Sequence, residues 1–173
     1  MIRRIGAGFA GLALAVGLAA CGGSKAQGIV QAPSAGLTAP PPPPPVPAAL
    51  KKKPTVTVPK GPPPKHLVIK DLVEGNGPVA TKTSTVTVQY VGVLYKTGKQ
   101  FDASWNDGSG QPVQFSLAQG VIKGWQEGIP GMRVGGRREL IIPPNLAYGK
   151  KGSPPKIPPN STLVFVIDLH AVS

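Results

Sequence analysis

Apolar and polar residues alternate along two segments of the C-terminal part of the chain, residues 85–95 and 162–170. Alternation with a period of two is typical of a strand that buries one face. The apolar positions on one face are Val86, Val88, Tyr90 and Leu94 in the first segment and Leu163, Phe165, Ile167 and Leu169 in the second. The pattern therefore predicts two half-buried strands.

Three shorter apolar segments, residues 66–73, 113–117 and 137–142, are separated by clusters of Gly, Pro, Asn and Asp and predict further strands. One helix of about two turns is predicted over residues 122–128, around Trp125. Five strands and one short helix indicate the α+β class, with an antiparallel sheet whose apolar face the helix covers.

The first 20 residues have the layout of an export signal. Arg3 and Arg4 precede an apolar run that ends in small residues, and about 16 apolar residues are short of the roughly 20 that a spanning helix needs. Leu18, Ala19, Ala20 and Cys21 resemble a bacterial lipobox, which implies cleavage before Cys21 and acylation of its sulfur and new N-terminus. The alternatives are a permanent single-pass anchor and an incidental thiol after an ordinary signal.

Residues 21–65 lack the apolar periodicity of a folded segment and hold most of the prolines. Thirteen of the 22 prolines lie between Pro33 and Pro64, six of them consecutively at residues 40–45. Such a sequence predicts a disordered, extended tether with polyproline II character. Its Lys51, Lys52 and Lys53 either meet anionic lipid headgroups or serve as a solvated charge run.

The distribution of charge and the number of cysteines bear on the possible partners and on disulfide bonding. The net charge is +12, but residues 1–65 hold eight basic and no acidic residues, leaving +4 on residues 66–173. The charge is thus largely outside the predicted domain, and we predict no nucleic-acid partner. A single cysteine excludes an intramolecular disulfide.

Six short motifs in residues 66–173 resemble those of FK506-binding proteins and occur in the family's order. The motifs are residues 88–92 (VQYVG), 98–104 (GKQFDAS), 121–125 (VIKGW), 131–135 (GMRVG), 147–149 (AYG) and 157–165 (IPPNSTLVF). The resemblance covers essentially all of this segment. It implies a peptidyl-prolyl cis-trans isomerase whose curved five-stranded antiparallel sheet wraps around one short helix.

The resemblance also implies a site made of an apolar aromatic pocket. The implied catalytic residues are Tyr90, Phe101, Asp102, Trp125, Tyr148 and Phe165, and the implied substrate-binding residues are Val113, Val121, Ile122 and Ile157. Trp125 would be the floor, and the Ile122 N–H and the Tyr148 hydroxyl would donate to substrate carbonyl groups. Rotation about an amide makes no new bond, so neither a metal nor a cofactor is expected.

Several departures from the family's pattern affect this expectation. No Arg follows Asp102 at the spacing where members often have one, which leaves the Trp105 indole N–H or a water as candidate partners. Val113 stands where an aromatic residue is common, and Gly120 where an acidic one is. Lysines also make the loop after Tyr148 basic.

The sequence thus predicts three parts: residues 1–20 as a lipoprotein signal, 21–65 as the lipidated tether and 66–173 as the isomerase domain. The expected function is isomerisation of X–Pro bonds in exported proteins, by a monomer that is lipid-anchored at Cys21 outside the cytoplasm. FK506-type macrolides are candidate ligands. The competing hypothesis is a membrane-tethered chaperone module that binds Pro-containing segments without turnover.

Overall fold

The computed structural model describes residues 47–105 and 110–173. Its regular elements are six strands, one α-helix and two short 3-10 helices, at Ala48–Lys51 and Pro144–Leu146. In chain order the strands and the helix are β1 (Val68–Val73), β2 (Thr85–Leu94), β3 (Gln100–Ala103), β4 (Val113–Ser116), α1 (Lys123–Gly128), β5 (Arg137–Ile142) and β6 (Leu163–Val172). None of the helices in the described ranges is long and apolar enough to cross a bilayer.

All six strands form one antiparallel sheet in the order β1, β5, β6, β2, β3. The long central strands β2 and β6 pair along nearly their full lengths, from Val86 with Val172 to Leu94 with Leu163. The other edge of β2 is shared, because β4 pairs with Thr85–Val88 and β3 pairs with Val91–Val93. The two short strands therefore extend one long edge in succession.

The sequence predicted the α+β class, the helix and five of these strands correctly, with bounds that differ by at most two residues. The expected number of five strands is wrong, because β3 is a sixth. Its four residues, Gln100–Ala103, are too short to display an alternating pattern. Backbone pairing with β2, rather than local propensity, gives this segment its extended conformation.

Successive residues of the central strands supply two separate apolar clusters, one on each face of the sheet. Phe165 and Ile167 belong to the larger cluster, which includes Trp125 of α1, whereas Val164 belongs to a smaller cluster with Val91. The larger cluster is the main core and lies between the sheet and the helix. The period-two alternation seen in the sequence thus separates a helix-covered face from a back face.

Close contact between α1 and β5 depends on two glycines. A Cβ at Gly124 would lie 2.4 Å from Ile142 Cγ2, and one at Gly128 would lie 2.7 Å from Leu140 Cδ2. Real Cβ atoms do not approach other carbons this closely, so larger residues would push the helix away from the sheet. These glycines bring Trp125 close enough to join the core, where only 4% of its surface is exposed.

Residues 47–65, which we call the strap, cross the back face of the sheet. Val56 and Val58 pack against the smaller cluster, and Leu50 has no exposed surface. Arg137 Nη2 donates to the Lys52 carbonyl at 3.0 Å. Residues 47–65 of the predicted tether therefore lie against the sheet, where Leu50 is buried and Val56 and Val58 are half-buried. The disorder expected for the tether as a whole stays a prediction. The signal, Cys21 and the rest of the tether lie outside the described residues.

We predict that Leu50→Ala lowers the free energy of unfolding by about 2–5 kcal/mol, because it removes a fully buried side chain. The matched control is Thr55→Ala, at an exposed strap position, which should change it by less than about 0.5 kcal/mol. Urea unfolding followed by tryptophan fluorescence measures both. Equal stability of the two variants would show that the start of the strap is not docked in solution.

Candidate active site

A cavity of about 290 Å³ opens on the helix-covered face of the sheet. Its lining comes from β2, β3, β4, β6, the start of α1 and the loop after the second 3-10 helix. The lining residues are Tyr90, Phe101, Asp102, Phe115, Gly120, Val121, Ile122, Trp125, Tyr148 and Phe165. Residues far apart in the chain meet there because the sheet brings their strands together.

Trp125 is the centre of the aromatic wall. Its ring meets those of Tyr90, Phe115 and Phe165 edge to face, with centroid distances of 5.3, 5.2 and 5.4 Å and interplanar angles of 82° in each case. Edge-to-face contact places the positive edge of one ring against the negative face of another, and is worth about 0.5–1.5 kcal/mol beyond simple burial. The four rings therefore fix each other's orientation and form a rigid apolar surface.

Gly92 on β2 makes room for two of the pocket's rings. A Cβ there would lie 2.7 Å from Phe101 Cζ and 2.9 Å from Phe165 Cε1. These two rings pack edge to face over the glycine, with their centroids 5.5 Å apart. Any side chain at this position would displace them, so the wall depends on a strand residue that contributes no side-chain atom itself.

The described polar contacts within the pocket centre on Asp102. The Tyr90 hydroxyl donates to Asp102 Oδ2 at 2.8 Å, and the Ala103 N–H donates to Oδ1 at 2.9 Å. Both carboxylate oxygens thus accept a hydrogen bond, which lowers the cost of placing a charge beside an apolar wall.

The partner of Asp102 differs from the sequence-based expectation. The Trp105 indole N–H, one candidate, is buried without a hydrogen-bond partner in the described part of the chain, and its ring packs against the back-face cluster. The hypothesis that Trp105 pairs with Asp102 is therefore wrong. Tyr90 takes this role because it and Asp102 lie on neighbouring strands and face the same side of the sheet.

Two hydrogen-bond donors lie at the rim of the pocket. Ile122 precedes α1 in an extended conformation, and its N–H makes no backbone hydrogen bond to another described residue. The Tyr148 side chain is 41% exposed. Its loop is fixed by backbone bonds from Gly149 to the Pro144 carbonyl and from Asn160 to the Gly149 carbonyl.

Burial and Asp102 keep both pocket tyrosines protonated. Burial, then the hydrogen bond to Asp102 and its negative charge, raise the pKa of Tyr90 well above its usual range. Burial, followed by the charge of Asp102, also raises the pKa of Tyr148. Both hydroxyls are consequently neutral donors at every physiological pH.

Eight of the ten predicted catalytic and substrate-binding residues line this one cavity. The other two are elsewhere: Val113 is 37% exposed and outside the lining, and Ile157 is 4% exposed within the main core. The sequence analysis missed Phe115. Phe115 shares its face of β4 with Val113, two residues earlier, but only the Phe115 ring reaches Trp125 and completes the aromatic wall. An aromatic residue on the same strand face as a predicted site residue could have indicated this.

Comparison with known proteins identifies the family to which this pocket belongs. Residues 77–170 match the family model described as FKBP-type peptidyl-prolyl cis-trans isomerase. The chain belongs to that family. An FK506-binding protein of Streptomyces anulatus is 58% identical over 123 residues, which are 70% of this chain and 98% of the relative.

Two further proteins support the assignment of this chain to the FKBP-type isomerase family. A probable FK506-binding protein of Corynebacterium glutamicum is 52% identical over 118 residues, covering 68% of this chain and 97% of the relative. Among solved structures, a peptidyl-prolyl cis-trans isomerase from Pseudomonas syringae pv. tomato is 37% identical with a TM-score of 0.56. That match covers 73% of this chain and 86% of the other. The chain is thus an enzyme of the FKBP type.

We predict that the stability of this isomerase falls as pH rises above about 10, and falls less in Tyr90→Phe. The raised pKa means that folded Tyr90 keeps its proton while unfolded tyrosine releases it near pH 10, so high pH favours unfolding. Urea unfolding from pH 8 to pH 11 measures the difference. Parallel pH profiles for the two proteins would contradict the assignment of a buried, hydrogen-bonded Tyr90.

Proposed function

We propose that this enzyme isomerises X–Pro bonds in exported polypeptides by holding the proline ring against the Trp125 wall. The observation that carries the proposal is the cavity of about 290 Å³, whose aromatic walls surround a single hydrogen-bonded carboxylate. Such a cavity admits a pyrrolidine ring and removes it from water.

The chemical task is to lower a rotational barrier. Amide resonance makes that barrier about 18–20 kcal/mol, and resonance also separates charge between the oxygen and the nitrogen. In the twisted amide this charge separation is reduced, so an apolar surface disfavours the planar ground state more than the transition state. No bond is made or broken, and the pocket residues need only bind and orient the chain.

The rim donors would hold the chain on either side of the proline. The Ile122 N–H and the Tyr148 hydroxyl are each free to donate to a carbonyl of the substrate, which keeps the flanking backbone fixed while the amide rotates. Tyr90 is committed to Asp102, so we assign it to positioning the carboxylate rather than to substrate binding. Asp102 would respond electrostatically to the twisted nitrogen.

The same pocket is the proposed site for FK506-type macrolides. Their binding would use the aromatic wall and the Ile122 and Tyr148 donors in place of a peptide. Gly120, with a φ of +82°, leaves the adjacent rim without a side-chain acceptor. We therefore expect FK506-type macrolides to inhibit the isomerase. Their affinity should depend on contacts with the aromatic wall and not on Gly120.

Export and anchoring complete the proposal. The leader of residues 1–20 and Cys21 support lipid attachment outside the cytoplasm, and two or three acyl chains are enough for stable anchoring. The clients would then be polypeptides folding after export, where uncatalysed proline isomerisation takes roughly 10–100 s.

We predict that Phe115→Ala lowers kcat/KM about tenfold on an X–Pro peptide, because it removes one ring from the Trp125 wall. Val113→Ala, two residues away on the same strand but outside the cavity, is the matched control and should stay within about twofold of the wild type. A protease-coupled assay with and without FK506 measures both variants. Equal losses would refute the assigned lining, and no acceleration by wild-type protein would favour a binding module without turnover.

We predict that cells expressing the full chain incorporate a palmitate analogue into it, and that Cys21→Ala abolishes both the label and membrane retention. The thiol is the acyl acceptor, and the chain has no second cysteine. Labelling followed by fractionation measures both properties. Label retained in the Cys21→Ala protein would exclude the lipobox interpretation without bearing on isomerase activity.

A further inference from the structure

The strap carries a row of lysines whose charge no described residue neutralises. Its five lysines are Lys51, Lys52, Lys53, Lys60 and Lys65, all exposed. The strap contains no acidic residue. None of these lysines forms an ion pair in the described part of the chain, where the two ion pairs are those of Arg137 and Arg138.

The strap that carries these charges contacts the face of the sheet opposite the catalytic pocket, through Val56, Val58 and the Lys52 carbonyl. The strap packs through Val56 and Val58 against the cluster that includes Val164, whereas the pocket uses Phe165, the next residue of β6. Because successive strand residues point to opposite faces, these strap contacts and the pocket lie on opposite faces of the sheet.

Two acidic groups on the back face, Asp168 and Glu139, already have basic neighbours. Asp168 accepts from Arg137 Nε at 2.5 Å, and its carboxylate is almost fully buried. Glu139, also directed toward the back face, interacts electrostatically with Lys70. The positive charge of the strap is therefore not cancelled locally and is available to an external anion.

The surface beside the strap is suited to close contact with an amphipathic partner. A groove of about 1050 Å³ runs between the strap and the loops after β2 and before β6, with Val58, Leu94 and Pro158 in its lining. Its one charged lining residue is Lys96, and none is acidic. The described lining of this groove thus offers an anionic surface one cation and apolar groups, and no carboxylate.

From this arrangement we propose that the strap docks the enzyme onto an anionic lipid surface, with the catalytic pocket facing away from the bilayer. The choice of lipid as the partner rests on the proposed membrane anchoring, because the charge of the strap alone does not distinguish a lipid surface from other polyanions. Bilayer docking requires several exposed lysines close together, which the strap supplies at Lys51–Lys53. The pocket on the opposite face then remains open to polypeptides in solution.

The expected strength follows from the number of lysines. A lysine near an anionic leaflet contributes about fivefold to membrane partitioning, and the attraction is lost beyond a Debye length of about 8–10 Å. Docking would therefore be weak without the lipid anchor and would depend on salt. In the lipid-anchored protein, strap docking would determine the orientation of the domain on the membrane more than the time that the protein stays bound.

The test uses residues 22–173, which lack the leader and Cys21 and retain every described residue, so it does not depend on lipidation. Binding is measured by flotation with vesicles of phosphatidylglycerol and phosphatidylcholine, and with phosphatidylcholine alone. We expect binding to the anionic vesicles alone, reduced by raising NaCl from about 50 to 500 mM. The triple variant Lys51→Gln, Lys52→Gln, Lys53→Gln should bind about 100-fold more weakly.

The matched control is Lys82→Gln, Lys150→Gln, Lys151→Gln, which removes three exposed lysines outside the strap. It should bind within about threefold of the wild type, and both triple variants should keep wild-type unfolding curves. Lysine acetylation followed by mass spectrometry gives the orientation: vesicles should protect Lys51–Lys53 but not Lys150 or Lys151.

Several results would overturn the inference. Equal binding to neutral vesicles, equal losses in the two triple variants, or protection of Lys150 and Lys151 would each contradict docking through the strap. Strap-dependent binding to polyphosphate without binding to anionic vesicles would assign the lysines to a soluble polyanion. Because the tested residues 22–173 lack Cys21, and isomerase activity is measured in a separate assay, these failures are distinguishable from failure of the anchor or of catalysis.

Discussion

The site depends most on the edge-to-face packing of three rings around Trp125. The indole is carried by a helix of only six residues, which has little stability of its own. Packing against β5, through glycines that permit very close approach, holds the helix, and the surrounding rings then hold the indole. The pocket is consequently a property of the sheet and helix together. If the packing of the helix or of the sheet were disrupted, the aromatic rings would move apart even though every ring is still present.

The polar part of the pocket follows the same principle of mutual support. Asp102 is held by Tyr90 and by the neighbouring Ala103 N–H, and it in turn keeps the Tyr90 proton in place. The hydrogen bond crosses from β2 to β3, so the position of the carboxylate depends on a strand pairing as well as on its own sequence. An arginine partner is unnecessary when a tyrosine hydroxyl satisfies one oxygen and a backbone N–H satisfies the other.

Alternating patterns predicted the α+β fold and the helix, because they reflect burial on one face of an element. The family resemblance carried by the ordered motifs implied eight residues that line the pocket. Features that arise from tertiary contact were not predicted. Strand β3 exists through its pairing with β2. The Asp102 partner lies 12 residues away on another strand, and Phe115 enters the wall only through the register of β4. The packing of the strap against the sheet was not predicted for a related reason: its proline content suggested disorder, and few of its residues are apolar.

The strap also determines how force enters the domain. Tension arriving along the chain from its N-terminal side reaches Leu50 and the Lys52 carbonyl before it reaches any strand of the sheet. The described contacts of the strap are side-chain packing and two side-chain hydrogen bonds, from Arg137 to the Lys52 carbonyl and from Tyr95 to the Pro62 carbonyl. The strands, in contrast, are joined by ladders of backbone hydrogen bonds that resist together. Under tension the strap would therefore detach before the sheet unfolds. Its release would lengthen the chain by up to 19 residues while the sheet and its pocket stay folded.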